Sequence, residues 1–113
     1  MKKLTYKKIT ESLIEIELHN DYNVVAIIAT NKSNYDISLY LSHKETSLFD
    51  LIGDYEHLTF DITTKNIYSA ILKEVANLME NKKLDRYFER YEYMLDCFDK
   101  GNEFYEQESK GDN

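Results

Sequence analysis

The stretch Leu58-Thr59-Phe60-Asp61-Ile62-Thr63-Thr64-Lys65-Asn66-Ile67-Tyr68-Ser69-Ala70-Ile71 is where the hydrophobic period of the chain changes. Up to Ile62 the apolar residues Leu58, Phe60 and Ile62 alternate with polar ones, the two-residue repeat of a strand with one buried face. Beyond Thr64 they recur at Ile67, Ala70, Ile71, Val75, Leu78 and Met79, the spacing of an amphipathic helix. Thr63 or Thr64 supplies a short polar side chain to cap that helix, and Asn81-Lys82-Lys83 ends it. Strand patterns on one side of such a switch and helical patterns on the other make an α+β fold. An antiparallel sheet of three to five strands within residues 4–62 is expected, packed by two helices near 64–81 and 84–100.

Working back from the switch, Ile14, Ile16 and Leu18 alternate with Glu15, Glu17 and His19, a half-buried strand. The turn residues Asn20-Asp21-Tyr22-Asn23 follow. Val24 to Thr30 is a continuous apolar run and reads as a central strand with both faces covered. Asn31-Lys32-Ser33-Asn34 is another turn, after which Tyr35, Ile37, Leu39 and Leu41 alternate with polar residues to complete an antiparallel meander. Leu4–Ile9 adds an edge strand. Ser47 with Asp50 three residues on resembles a capping box, and Gly53 a stop, so a single helical turn is expected over Leu48–Ile52.

Working forward, Leu84, Phe88, Tyr91, Leu95 and Phe98 step by four and three residues, an aromatic-rich stripe that reads first as core. Gly101 ends or interrupts this helix, since Phe104 and Tyr105 continue its pattern, and 107–113 is a polar, frayed tail. Nothing marks an internal boundary, so 1–113 reads as one domain.

Composition narrows the function. The net charge of −7 disfavours direct contact with nucleic acid or with an anionic membrane, and favours a basic protein partner. Residues 84–113 carry 9 acids against 4 bases, so the excess is concentrated at the C-terminal end. The start, Met1 to Lys8, is basic but leads into no apolar targeting segment, no run suits a bilayer span, and Cys97 has no partner for a disulfide. A cytoplasmic protein is expected. His19, His43 and His57 lie in separate segments, and Cys97 sits beside core positions of the last helix as a small buried thiol. The three glycines, Gly53, Gly101 and Gly111, are not clustered. No catalytic group, metal site or cofactor is expected, and the protein reads as a binder rather than an enzyme.

One pattern has no evident use in folding. Asp85, Glu89, Glu92, Asp96, Asp99, Glu103 and Glu106 form a second stripe, one residue over from the apolar one. Neighbouring like charges at these spacings cost a helix about 0.2–0.5 kcal/mol each, and the last acids oppose the helix dipole. A solvated face relieved by Arg86 with Glu89, Asp96 with Lys100 and Glu106 with Lys110 accounts for the stripe structurally. A ridge with a charge about every 5 Å, entering a groove of lysine and arginine, accounts for it functionally. The second signal is ten tyrosines. Tyr22, Tyr40, Tyr55, Tyr87, Tyr93 and Tyr105 fall at turns, on strand faces opposite the core or off the helix stripe, where tyrosine serves interfaces well. Tyr87 and Tyr93, on the ridge-bearing helix, join the seven acids as candidate partner-binding residues.

Tyr35-Asp36-Ile37-Ser38-Leu39-Tyr40-Leu41, taken with Arg90-Tyr91-Glu92-Tyr93-Met94-Leu95-Asp96-Cys97-Phe98-Asp99-Lys100-Gly101-Asn102-Glu103-Phe104-Tyr105, resembles small acidic accessory proteins of Gram-positive conjugative elements and prophages, some of them type II-A anti-CRISPR proteins. The resemblance runs from about Leu4 to Glu106 and transfers no site residue. It implies an inhibitor of the CRISPR effector nuclease, whose RNA and DNA channels are strongly basic. An immunity protein or antitoxin covering a nuclease toxin would share the same composition. A structural factor of the mobile element would rely on the apolar and aromatic positions instead. The sequence leaves monomer and homodimer equally open.

Overall fold

In a computed structural model of the chain, residues 3–45, 49–51 and 57–97 are described. The strands are β1 (Thr5–Thr10), β2 (Leu13–Glu17), β3 (Tyr22–Thr30), β4 (Asn34–His43), β5 (Phe49–Leu51) and β6 (Leu58–Asp61). Helix α1 (Ile67–Glu80) and helix α2, helical over residues 85–97, follow. Every strand pairing is antiparallel. Among the described residues the sheet is five strands across, and its fifth position is divided: β5 pairs with Tyr40–Ser42 and β6 with Asn34–Ile37, at the two ends of one edge of β4. Sheet first and helices after, as the change of period at Thr63 requires.

The meander forms because its turns are chemically specified. Asn20 Oδ1 accepts the Tyr22 N–H at 2.9 Å, and Asn31 Oδ1 accepts those of Ser33 and Asn34 at 2.8 and 2.7 Å, so each asparagine turns the chain through its own side chain. Register then puts Ile14 and Ile16 beside Ala26 and Val24, and Val24, Ala26 and Ile28 beside Leu41, Leu39 and Ile37, on one face, where Leu18 is buried as well. Both helices cover that face with Ile71, Val75, Leu78, Leu84, Tyr87 and Tyr91, giving one cluster of buried side chains. Among the described residues no helix is long and apolar enough to cross a membrane.

Three local expectations are corrected. The segment Phe49–Leu51, read as part of a helical turn, is the strand β5. The ten-residue β4 reaches past the four residues that β6 can pair, and β5 satisfies backbone groups that would otherwise be left open at its far end. Ser47, Ile52 and Gly53 lie outside the described residues. Helix α1 is capped by Asn66, which accepts the Ser69 N–H at 3.1 Å, and not by a threonine. Thr63 and Thr64 are engaged one turn earlier by Asp61, whose Oδ1 takes the Thr63 N–H and hydroxyl at 2.9 and 2.6 Å and whose carbonyl takes the Thr64 hydroxyl at 2.7 Å. These bonds hold the Asp61 carboxyl below its ordinary range, the Thr63 hydroxyl contributing most.

The third correction concerns β3, which alternates instead of being covered on both faces. Val24, Ala26 and Ile28 are buried, while Val25 is half-buried and Ile27 is 40% exposed. With both helices on one face, the other face keeps an apolar groove of about 470 Å³ lined by Ile9, Leu13, Glu15, Val25, Ile27 and Tyr40.

Candidate partner-binding face

Helix α2 owes its position to the turn before it and to one tyrosine. The turn is a C-terminal cap of the Schellman type. Lys83 N–H reaches the Leu78 carbonyl at 2.9 Å, Lys82 N–H reaches that of Met79 at 3.1 Å, and Lys82 sits in the left-handed region at φ 56°. The chain thereby reverses, and Leu84 enters the core fully buried. The tyrosine is Tyr22, at the start of β3. Its ring stacks on Phe88 with centroids 4.9 Å apart and meets Tyr91 edge-on at 5.5 Å and His43 edge-on at 5.2 Å, while the His43 and Tyr91 rings lie parallel at 6.0 Å. The Tyr22 hydroxyl donates toward the Phe88 carbonyl at 3.5 Å and Glu92 Oε1 at 3.4 Å. Burial, then the charge of Glu92 and the bond to it, push the Tyr22 hydroxyl up to about 12.

With this anchor fixed, helical spacing decides the other face. Asp85, Glu89, Glu92 and Asp96 are all exposed, a continuous acidic row along α2. Glu92 serves both as a member of the row and as a partner of Tyr22. Asp99, Glu103 and Glu106, the remainder of the proposed ridge, lie outside the described residues, as do Phe98, Phe104, Tyr105 and Tyr55. Tyr93 stands beside the row, four residues on from Glu89 and 69% exposed. Its hydroxyl is held above its ordinary range, first by a hydrogen bond with Cys97. Met94, 49% exposed, adds a large apolar side chain to the solvent side of the same helix and was not singled out by the sequence.

Three sequence expectations fail here. Tyr87, expected at the exposed face, is 5% exposed and belongs to the core, with the Arg86 guanidinium 4.8 Å from its ring centre and donating to its hydroxyl at 2.8 Å. The buried stripe is wider than a strict four-three repeat and takes in the position between Leu84 and Phe88. Tyr22, expected at a turn surface, is the anchor just described and is 4% exposed. Cys97, expected as a buried thiol, is exposed, because two residues past Leu95 the helix has rotated away from the sheet. Tyr40 does lie on the sheet face opposite the helices, half-buried in the wall of the apolar groove.

The histidines are dispersed. His19 is exposed in the bend after β2, His43 is stacked in the Tyr22 cluster with its Nδ1 accepting the Glu45 N–H at 3.2 Å, and His57 meets the Ser38 hydroxyl at 3.5 Å on the outer face. Among the described residues no three histidine, cysteine or carboxylate side chains gather into a metal site. What α2 can do chemically is present fixed negative charge, an aromatic ring with a polar tip and a thioether to a partner. Compared with known proteins, the chain matches no family model, no curated protein and no solved structure.

Proposed function

We propose that this chain is a non-catalytic acidic inhibitor that acts in the cytoplasm by binding a basic nucleic-acid-handling enzyme, and that it is an anti-CRISPR protein blocking the type II-A CRISPR effector nuclease or its guide-RNA loading. The observation that carries the proposal is the exposed row Asp85, Glu89, Glu92 and Asp96 with Tyr93 beside it, on a helix whose opposite face is docked by Leu84, Tyr87 and Tyr91. A rigidly held row of charge loses little freedom on binding, and it is complementary to a channel built for phosphates. The resemblance noted above selects a guide-RNA nuclease among such enzymes. The same row would serve an immunity protein against a nuclease toxin.

The test is a cleavage assay with purified effector nuclease, the protein being added before or after the guide RNA. Stoichiometric inhibition in either order supports a block of the loaded nuclease, and inhibition only when added first supports a block of loading. No inhibition and no binding in either order, with tight binding to a nuclease toxin instead, would transfer the reading to an immunity protein.

A further inference from the structure

The acidic row is not the whole electrostatic design, because the β1 strand carries the opposite sign. Residues 3–10 read Lys-Leu-Thr-Tyr-Lys-Lys-Ile-Thr, three bases and no acid in a chain of net charge −7. The strand β1 within them pairs with β2 on one side and with no described strand on the other, and all six of its residues are exposed. Its open edge therefore presents backbone donors and acceptors to solvent, which is a template for a further strand.

That edge also has a floor. Helix α1 lies over the inner face beside β1, held there by Tyr68, whose ring stacks on Tyr6 at 5.7 Å and whose hydroxyl donates to the Glu11 carbonyl at 2.8 Å. Between α1 and the start of β1 runs a groove lined by Lys3, Leu4, Ser69, Leu72, Lys73, Ala76 and Glu80. Leu72 and Ala76 are only half-buried, so apolar surface of α1 remains at the place where the inner-face side chains of an added strand would fall. Lys7 and Ile9 face the outer side of the sheet, in alternation with Tyr6 and Lys8, which face α1.

We infer that the β1 edge and this groove bind an extended, acidic polypeptide segment by strand addition. Its backbone pairs with β1, its apolar side chains lie against Leu72 and Ala76 in the groove that Lys3 and Lys73 flank, and its carboxylates, on the other face, meet Lys7. Charge chooses the occupant. A second copy pairing β1 with β1 would set lysines against lysines, so the same residues that discourage self-association favour a partner of opposite sign. Lys8 has less to offer such a partner, since it is already paired with Glu11 at 3.3 Å and lies over the Tyr68 ring. This surface is separate from the acidic row, and the inference does not depend on the inhibitor reading.

The probe is a blocked peptide of alternating glutamate and valine, titrated into the full chain while backbone amide resonances are followed. Saturable binding is expected, with shifts at residues 3–10 and at Leu72 and Ala76. It should be abolished when alternate peptide nitrogens of the probe are methylated, because charge is kept and strand pairing is lost. The double variant Lys3→Glu with Lys7→Glu should weaken it by about tenfold or more, these being exposed side chains whose reversal leaves the fold intact. Equal binding of the methylated peptide, equal binding of a lysine-valine counterpart, or no saturable binding would overturn the inference. So would β1 shifts that depend on protein concentration without peptide, which would assign the edge to a second copy.

Discussion

Tyr22 links the sheet to the face on which function is proposed, and its hydroxyl makes that link measurable. Tyr22→Phe keeps the ring stack and removes one long hydrogen bond shared between two acceptors, so it should cost about 0.5–1 kcal/mol at neutral pH. The pH dependence carries a definite sign. In the unfolded chain a tyrosine ionises near 10, whereas here the proton is held to about 12, so the contribution is fully present below about pH 10 and is lost as pH rises toward 12. Denaturant midpoints should show the wild type losing on the order of 2 kcal/mol relative to Tyr22→Phe across that window. A constant gap between the two would mean that the hydroxyl is not buried against Glu92. Tyr87 and Tyr93 make a second contrast. Tyr87→Ala should lose about 3 kcal/mol as a buried aromatic, while Tyr93→Ala should stay within about 0.5 kcal/mol in stability and weaken partner binding by 1 kcal/mol or more. Composition could not distinguish these tyrosines. Tyr22 turns inward because β3 begins at it and it continues the alternation of Val24, Ala26 and Ile28, whereas Tyr87 and Tyr93 both sit off the strict repeat of α2, and only Tyr87 falls on the side that meets the core.

At the scale of elements, the Schellman turn between the helices is the clearest place to intervene. Lys82 holds a left-handed conformation that costs an L-residue about 1–2 kcal/mol and that glycine adopts freely. Allowing for the greater freedom glycine gives the unfolded chain, Lys82→Gly should raise stability by about 0.5–1 kcal/mol, read as a higher urea midpoint with unchanged slope. A lower midpoint would show that the left-handed position of Lys82 carries no cost that glycine relieves. Elements whose side chains alternate, such as Ile14–Leu18 and Tyr35–Leu41, were legible because period 2 is a property of the strand alone. The cap of α1 was not, since Thr63, Thr64 and Asn66 are all competent caps and the choice is made by Asp61, which has already engaged both threonines. Nor was β5, whose three residues form a strand because the far half of β4 needs a partner, a demand with no local trace in Phe49–Leu51.

For the whole molecule, two facts organise the surface: both helices cover one face of the sheet, and the charge is divided, with acids along α2 and lysines along β1. The acidic spacing of α2 was readable in the sequence, because a four-three repeat of carboxylates on a helix has to form a row. Its exposure depended on which neighbouring stripe the sheet would take, and the apolar one at Leu84, Phe88, Tyr91 and Leu95 left Asp85, Glu89, Glu92 and Asp96 outside. The groove of the outer face was hidden by the continuity of Val24 to Thr30, which suits a strand covered on both sides equally well.

The most direct test of the inhibitor reading replaces Asp85, Glu89 and Asp96 by asparagine, glutamine and asparagine, sparing Glu92 because it also holds Tyr22. Relief of like-charge repulsion along the helix should roughly offset the loss of the Asp85 carboxylate at its N-terminus, leaving the thermal midpoint nearly unchanged. Association of the wild type with the effector nuclease should weaken steeply as salt rises, since exposed charges are screened within about 8–10 Å at physiological ionic strength. The triple variant should bind about tenfold or more weakly at low salt and show a flattened salt slope. A variant that binds and inhibits as well as the wild type, with the same slope, would contradict the proposal and leave the row as solvated surface.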